Sequence, residues 1–502
     1  MARLVFLGLD GATWDILDPL LDAGKLPTFQ RLVDEGTRGE LQSTHPPVTF
    51  PAWRVLSSGK NPGKLGVYGW NHPDFQARDF VYPNGSDFHT RDVWDYLNQA
   101  GHTTAVVNQP GTYPPIPVDG AFISGPESQG EDIFHGVPDQ LQRAYQRHTH
   151  GLANAVDRGS LPRALEVIEQ NLRVAAELGQ GVDVLHHVIF LTDTVQHHLW
   201  NDQAALERTW RVVDEGLEHL LDTLEPEQVF LASDHGFQAL DWRVNVNQLL
   251  AEAGLATIGV PTSASLLGKL GIDRANALKL AAKLGITEKT LAKLPAFLKD
   301  RVPEGTGELH TRRAAGVTWE ETVALTGDGR GVYLTDPGLA DTVIDALSGA
   351  LDPEGEPLFA TIQPAAEVWH GDQMHLAPDL LITPRDGVEP GGSIGSPRLK
   401  PTAPGEGWIA HHHPQGIFLG WGEGIRQGEI GGARIEDVMP TLLASQGAPV
   451  PTDVDGKVLD VFTARRETAT CEPLAPRGGK RVLSEAEQAR VEDRLRGLGY
   501  LE

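Results

Sequence analysis

Aspartate and histidine residues recur in this sequence where short apolar segments begin or end. They are Asp10 after RLVFLGL, Asp193 after VIFLT, the pair Asp234 and His235 after VFLAS, and His411 to His413 ahead of GIFLGW. Any one of them has an ordinary structural explanation, such as capping the next helix or binding a buried carbonyl. Four such coincidences are harder to explain in that way, because open α/β sheets build their sites at strand ends. The pattern predicts one shared site.

The candidate ligands in this set are all oxygen or nitrogen donors. Cys471 is the only cysteine, which excludes an intramolecular disulfide and a thiolate cluster. Carboxylates and imidazoles suit zinc, or a harder divalent ion such as manganese. Asp193 and His197 are four residues apart in DTVQH, so on a helix they share one face while His198 points away. The ligands are too many for one tetrahedral ion, and we infer two divalent ions.

A nucleophile is predicted at Thr49, in the segment STHPPVTFPAW. The two prolines before it favour an extended chain, and Thr49 followed by Pro51 is typical of an N-cap and a first helical turn. A hydroxyl at that position faces the positive end of a helix dipole, which attracts phosphate. A threonine alcohol needs activation, and metal coordination is one way to provide it. A plain helix cap is the alternative interpretation.

The elements that must position these residues alternate between strands and helices. The apolar runs predict strands at residues 3–9, 102–107, 184–191 and 228–233. Helical periodicity predicts helices at residues 28–35, 91–99, 162–177 and 204–224. This order predicts an α/β fold with a mostly parallel central sheet flanked by helices.

Residues 257–330 interrupt this alternation. Ala, Leu and Lys at helical spacing predict an inserted helical cap subdomain between two parts of a catalytic core, 1–256 and 331–463. Between positions 261 and 301, eight Lys or Arg residues stand against three Asp or Glu. This basic stretch is either a solvated helix face or a patch that steers an anionic substrate.

Two further segments have their own composition. Residues 384–408 are rich in Pro and Gly, which is typical both of a surface connection and of a mobile lid. The tail, residues 464–502, ends in a sequence that predicts an amphipathic helix with Ser484 as its N-cap.

The charge of the chain limits its partners. The 502 residues carry 42 Lys or Arg against 68 Asp or Glu, a net charge of -26, which disfavours nucleic acid polymers and anionic membranes. The net charge does not exclude a small anionic substrate, because bound metal ions make the local potential at a site positive. The N-terminal apolar stretch in MARLVFLGLDGATW is too short for a spanning helix or a signal sequence. We expect a cytoplasmic protein without a membrane span.

Three motifs together resemble a known family. TFPAW followed by SGKNPGKLG, then LASDHG, and finally HHHPQGIFLG are similar to the alkaline phosphatase superfamily, in particular its type I phosphodiesterase and nucleotide pyrophosphatase branch. The resemblance runs from Leu4 to about Phe462, interrupted by the insertion. It implies that one metal is held by Asp10, Thr49, Asp234 and His235, and the other by Asp193, His197 and His412. His411 and His413 are the alternatives to His412.

Two departures from that family pattern concern substrate contacts. Many phosphodiesterases of this branch have Asn three residues after the nucleophile, where this chain has Ala52. The family also has an Asn some twenty residues after the nucleophile, and Asn71 stands near that position as a predicted oxyanion donor. TFPAW does not offer the Cys or Ser of a sulfatase.

The leading hypothesis is a metal-dependent phosphodiesterase or nucleotide pyrophosphatase that forms a phosphothreonine at Thr49. A phosphomonoesterase or phosphotransferase is the alternative on the same site, and a monoester dianion would favour an added Arg or Lys clamp. Arg54 is five residues beyond Thr49, roughly 140° round a helix, and is expected to face elsewhere. Trp53 shares the Thr49 face and is expected to pack in the core. A non-catalytic metal-binding regulatory protein is the alternative from another class.

Overall fold

The structure is a computed structural model of the protein. It describes residues 1–126, 131–149, 156–259, 313–403, 407–464, 466 and 468–477. The basic stretch at 261–301, most of the predicted cap subdomain and the predicted tail helix that begins near Ser484 lie outside the described residues.

The largest sheet forms the centre of the fold. The strands, in chain order, are β1 (Leu4–Leu9), β2 (Thr37–Gln42), β3 (His72–Asp74), β4 (Asp79–Val81), β5 (Thr104–Gln109), β6 (Gly120–Ser124), β7 (Phe134–His135), β8 (Val184–Ile189), β9 (Gln228–Ala232), β10 (Gly236–Ala239), β11 (Trp242–Asn245), β12 (Ala324–Thr326), β13 (Gly331–Leu334), β14 (Phe359–Pro364), β15 (Leu380–Pro384), β16 (Val388–Gly391), β17 (Leu399–Pro401), β18 (Ala410–His413), β19 (Gln415–Gly422), β20 (Gly428–Arg434), β21 (Val450–Pro451) and β22 (Thr470–Cys471). The central sheet has the order β20-β2-β19-β9-β1-β8-β5-β6-β7. Its neighbours from β9 to β6 run parallel, while β19 and β7 run antiparallel to theirs.

Helices flank the central sheet and the smaller sheets beside it. They are α1 (Trp14–Asp22), α2 (Pro27–Glu35), α3 (Thr49–Ser58), α4 (Pro62–Leu65), α5 (Val93–Gln99), α6 (Asp139–Thr149), α7 (Leu161–Gly179), α8 (Leu191–Leu199), α9 (Gln203–Leu224), α10 (Val246–Glu252), α11 (Ala340–Ser348) and α12 (Val438–Ser445). Every residue of β1, β5, β8 and β9 is buried, so both faces of these central strands are covered. Among the described helices, none combines the length and apolar character that crossing a bilayer requires.

The predicted α/β class is confirmed. All four predicted strands and all four predicted helices are present, with ends within two residues of the expected positions. Continuous burial along β1, β5, β8 and β9 explains why these strands read as unbroken apolar runs rather than as an alternating pattern.

A second hydrophobic core lies beside the first. It is formed by the small sheets β12-β13-β15-β14 and β16-β11-β17 together with α10 and α11. The described ends of segment 257–330 belong to this core, because Ile258 forms a β-bridge with Val317 and residues 324–326 are strand β12. Within residues 257–330 the sequence predicted helices and no strand. A strand of three residues is too short for its periodicity to stand out.

A buried ion network holds helix α3 from behind. Arg54 Nη2 lies 2.9 Å from Asp92 Oδ2, and Arg54 Nη1 donates a hydrogen bond of 2.6 Å to the carbonyl of Gly111. Ser57 Oγ and Arg477 Nη1 also donate to Asp92. Arg54 therefore faces its own buried partners, as its helical spacing from the nucleophile candidate predicts.

Replacing Asp92 with alanine is expected to lower the free energy of unfolding by about 3–5 kcal/mol, because the buried Arg54 loses its counter-charge. Burial alone would raise the pKa of Asp92, but Arg54 and Arg477 hold it below its ordinary value. A depressed carboxylate pKa stabilises the fold above the unfolded pKa, and this stability is lost as the pH falls through the folded pKa. Chemical denaturation at neutral pH measures the loss, which should shrink in acid.

The control for this prediction is Asp18, which pairs with Arg38 at 2.8 Å but has a side chain 43% exposed. Its replacement with alanine should cost less than about 1 kcal/mol, since exposed ion pairs contribute little. If both alanine variants, at Asp92 and at Asp18, lost the same free energy of unfolding, the buried network would not stabilise the fold more than an exposed ion pair does.

Candidate active site

The carboxyl ends of three adjacent strands bring three aspartates together. Asp10 directly follows β1, Asp234 follows β9, and Asp193 lies in the first turn of α8, just beyond β8. Because β8, β1 and β9 are parallel neighbours, all three residues reach the same edge of the sheet. Donor atoms of Asp10, Asp234 and His235 lie within 4.8 Å of one another, and all three side chains are buried. We call them the first ligand group.

Asp193, His197 and His412 form a second ligand group. His197 Nε2 and His412 Nε2 lie 3.3 and 3.4 Å from Asp193 Oδ1, and the two nitrogens are 3.2 Å apart. His197 reaches Asp193 along one turn of α8, as the spacing in DTVQH predicts. Donor atoms of Asp193, His412 and His235 also lie within 4.8 Å of one another, so the two groups are contiguous through His235.

The three imidazoles at the site share one arrangement. In each, Nδ1 contacts a backbone carbonyl oxygen: Ala410 for His197 at 2.8 Å, Pro47 for His412 at 2.8 Å, and Gly236 for His235 at 3.0 Å. A carbonyl only accepts hydrogen bonds, so Nδ1 carries the proton and Nε2 presents its lone pair. Burial lowers the pKa of His412, and burial together with His412 lowers that of His235. Neutral imidazoles oriented in this way are typical metal ligands.

The carboxylates fit divalent cations. Within the part of the chain that the structure describes, the buried atoms Asp10 Oδ1 and Asp234 Oδ2 have no hydrogen-bond donor. Burial and the neighbouring carboxylates raise the pKa of Asp10 and of Asp234 well above the ordinary value. Buried carboxylates this close together require positive charge, and the oxygen and imidazole donors suit zinc or manganese.

Thr49 begins helix α3, and its hydroxyl meets His235. Thr49 Oγ1 lies 3.0 Å from His235 Nε2, and both side chains are fully buried. The prediction that Thr49 is the N-cap is wrong. Val48 is the N-cap, with extended backbone (φ -108°, ψ 121°), and Thr49 is the first helical residue. The prolines before Val48 keep the chain extended for one residue longer, which leaves Thr49 at the positive end of the helix beside the first ligand group.

Trp53 contacts Asp10, a candidate metal ligand, and the sequence did not predict this contact. It packs in the core as expected, but its Nε1 also donates a 2.9 Å hydrogen bond to Asp10 Oδ2. Gly8 makes room for the indole, because a Cβ at that position would lie 2.5 Å from the Trp53 ring. The only sequence signal was the spacing of four residues between Thr49 and Trp53, which places them on one helical face.

The three consecutive histidines point to alternating faces of one strand. His411 to His413 lie on β18, which pairs antiparallel with β10. Successive side chains of a strand point to opposite faces, so His412 alone of the three reaches the second ligand group. His411 Nδ1 instead lies 2.5 Å from Glu389 Oε2, and His413 Nδ1 accepts from the amide of Gln415.

The Pro/Gly-rich segment 384–408 contributes structure to the site. Its described part contains β16 and β17, which flank β11 in a three-stranded sheet. At its end, the Trp408 ring stacks on His197 with centroids 3.5 Å apart and planes 12° apart. The amide of Ile409 donates to the carbonyl of His197 at 2.7 Å. This segment therefore fixes the imidazole of one candidate ligand.

Asn71, the predicted oxyanion donor, lies just before β3 and is 4% exposed. Its Oδ1 accepts a 2.8 Å hydrogen bond from Arg313 Nη1. The structure also places Ala52 in the first turns of α3, fully buried, so no polar side chain comes from that position.

The chain matches one protein-family model over most of its length. The model of type I phosphodiesterase / nucleotide pyrophosphatase matches residues 4–413. The chain belongs to this family. The matched range includes every residue of the two ligand groups and Thr49, and the family supports a phosphoester hydrolase. No curated protein matches the chain.

Solved structures of related proteins share the fold. Phosphonoacetate hydrolase from Sinorhizobium meliloti 1021, in complex with phosphonoformate, has a TM-score of 0.56 at 14% identity, covering 87% of this chain and 94% of that one. An inactive murine ectonucleotide pyrophosphatase / phosphodiesterase 5, in complex with AMP, has a TM-score of 0.54 at 13% identity, covering 92% and 100%. The alkaline phosphatase PafA has 0.53 at 15% identity, covering 92% and 99%. These similarities show that the chain shares the fold of these structures.

Proposed function

We propose that this protein is a metal-dependent phosphohydrolase, with the activity of a phosphodiesterase or nucleotide pyrophosphatase and with Thr49 as its nucleophile. The observation that carries the proposal is the position of the Thr49 hydroxyl, 3.0 Å from His235 Nε2 at the N-terminus of a helix, beside two contiguous ligand groups. Membership of the type I phosphodiesterase family supports the same reaction class.

Two divalent ions, zinc or manganese, fit the donors of this site. Asp10, Thr49, Asp234 and His235 would hold one ion, and Asp193, His197 and His412 the other. When bound, the ions supply positive charge that lowers the pKa of the threonine hydroxyl and stabilises charge developing on the phosphoryl group.

The chain's own residues position the reacting groups. Thr49 Oγ1 gives up its proton to water and attacks phosphorus; the bond from phosphorus to the leaving oxygen breaks with its electron pair, and that oxygen takes a proton from water, which gives phosphothreonine and the released alcohol or phosphate. Water then attacks the same phosphorus, the bond from phosphorus to Oγ1 breaks, and Oγ1 takes a proton from the attacking water, which restores the hydroxyl. Trp53 holds one oxygen of Asp10, and the start of α3 directs its dipole at the phosphoryl group. Asn71 donates to a non-bridging oxygen.

The substrate in this proposal is a small anionic phosphoester. Relatives of the same fold are found with AMP and with phosphonoformate, which are both small and anionic. The net charge of -26 disfavours a nucleic acid polymer. A buried helix start at the edge of a sheet suits a small phosphoryl group.

A phosphomonoesterase on the same site is the alternative, and a monoester dianion would favour an added Arg or Lys clamp. Arg54 is committed to Asp92 and so gives no clamp for a dianion. Arg330 is committed in the same way, because its Nη2 lies 2.9 and 2.7 Å from the two carboxylate oxygens of Glu389.

A substrate panel separates these candidates. Zinc-loaded protein should hydrolyse an aryl phosphodiester or a nucleotide diphosphate with kcat/KM at least about tenfold above that for the matching aryl phosphomonoester. The reverse order would assign the site to monoesters. Absence of turnover on every ester, with full metal occupancy, would favour the non-catalytic metal-binding alternative and contradict the proposal.

A further inference from the structure

The loop that carries Asn71 packs directly against the start of helix α3. Phe50, which follows the nucleophile candidate, stacks on Trp70, which precedes Asn71, with ring centroids 4.7 Å apart and planes 29° apart. Both rings are at least nine-tenths buried. The stack therefore joins the segment that carries Asn71 to the helix start that carries Thr49.

The side-chain oxygen of Asn71 is committed to a cation. Its Oδ1 accepts the 2.8 Å hydrogen bond from Arg313 Nη1. Gly327 packs closely against Asn71. A Cβ at Gly327 would lie 2.6 Å from Asn71 Oδ1 and 2.2 Å from the Asn71 carbonyl oxygen. With Oδ1 turned to Arg313, the amide nitrogen Nδ2 is the group that can donate a hydrogen bond elsewhere.

Arg313 is itself fixed by several contacts. Nη2 donates to the carbonyls of Gly327 and Gly392, the latter at 2.9 Å. The guanidinium carbon lies 3.9 Å from the centroid of the Phe80 ring. A planar guanidinium held by two carbonyls and an aromatic face keeps one orientation, which a lysine does not reproduce.

We propose that Arg313 is a positioning residue, which fixes the amide of Asn71 so that Nδ2 donates to a non-bridging oxygen of the phosphoryl group at Thr49. The inference rests on the proposed function, since it assigns Asn71 a contact with that group. Arg313 acts through Asn71 and does not touch the substrate.

A double-mutant cycle tests this coupling. Replacing Asn71 with alanine should lower kcat/KM about a hundredfold, the usual effect of losing an oxyanion donor. Arg313→Ala should lower it about tenfold in the wild-type background and less than about twofold in the Asn71→Ala background. A tenfold loss in both backgrounds would overturn the inference, because Arg313 would then act independently of Asn71.

Phosphate binding gives a second readout that needs no turnover. Isothermal titration of the zinc-loaded protein with inorganic phosphate should show about tenfold weaker binding in Arg313→Ala, and little further weakening when Asn71 is already alanine. Full activity and full phosphate affinity in Asn71→Ala, with an inactive Thr49→Ala, would overturn this inference and leave the proposed function intact. Undiminished turnover in Thr49→Ala would overturn the proposed function, and the phosphate cycle would still decide the role of Arg313.

A further variant guards against an effect of folding. Arg466 is the matched control, since it also lies over a phenylalanine ring, that of Phe462, and donates to two carbonyls. Arg466→Ala should leave kcat/KM within about twofold. Activity lost equally in Arg466→Ala and Arg313→Ala would contradict the specific role.

Discussion

Replacing Thr49 with alanine is expected to reduce kcat for phosphoester hydrolysis by at least about a thousandfold, as removal of a nucleophile does in other hydrolases. The hydroxyl lies at the start of α3, with Oγ1 3.0 Å from Nε2 of His235 in the first ligand group. The fold should survive, because one lost hydrogen bond costs about 1 kcal/mol. Steady-state kinetics and thermal unfolding on the same zinc-loaded sample measure the two effects.

Thr209 is a matched control for that variant. It is also a buried threonine, and its Oγ1 donates to the carbonyl of Ala205 within α9. Thr209→Ala should lower stability by a similar amount and leave kcat unchanged. Thr49→Ser should retain measurable turnover, since a serine keeps the hydroxyl. A Thr49→Ala protein with the wild-type rate would show that another group attacks phosphorus.

Removal of metal is expected to abolish hydrolysis, and zinc or manganese is expected to restore it. Among single ligands, His412→Ala should weaken metal binding about a hundredfold or more, because its Nε2 lies 3.4 Å from Asp193 Oδ1 and 3.2 Å from His197 Nε2. Bound metal per chain after dialysis, measured by elemental analysis, should fall from about two ions to about one. The rate should fall in parallel.

His413 provides the control within the same run of histidines. It lies on the neighbouring position of β18, where its Nδ1 accepts from the amide of Gln415. His413→Ala should keep two ions per chain and nearly full activity. Loss of metal in His413→Ala with retention in His412→Ala would reverse the register assigned here. A wild-type protein that is active with less than one ion per chain would contradict metal dependence altogether.

Much of the fold and the set of candidate ligands followed from the sequence alone. The central strands are buried on both faces, so they appear as unbroken apolar runs that local patterning identifies. Asp10 and Asp234 follow such runs directly, and parallel neighbours bring strand ends together without any knowledge of loop structure. The pairing of Asp193 with His197 required only the helical spacing of four residues.

The tertiary structure alone decided how these residues meet their partners. Thr49 and His235 are 186 residues apart, and Asn71 and Arg313 are 242 apart, so no local pattern connects either pair. The orientation of the His412 imidazole depends on the carbonyl of Pro47, 365 residues away, and on the antiparallel register of β18 against β10. Sequence periodicity reports which face of its own element a side chain occupies. Packing between elements determines which group that face meets. It places the Thr49 hydroxyl against the buried imidazole of His235, whereas the sequence predicted that Thr49 caps the helix.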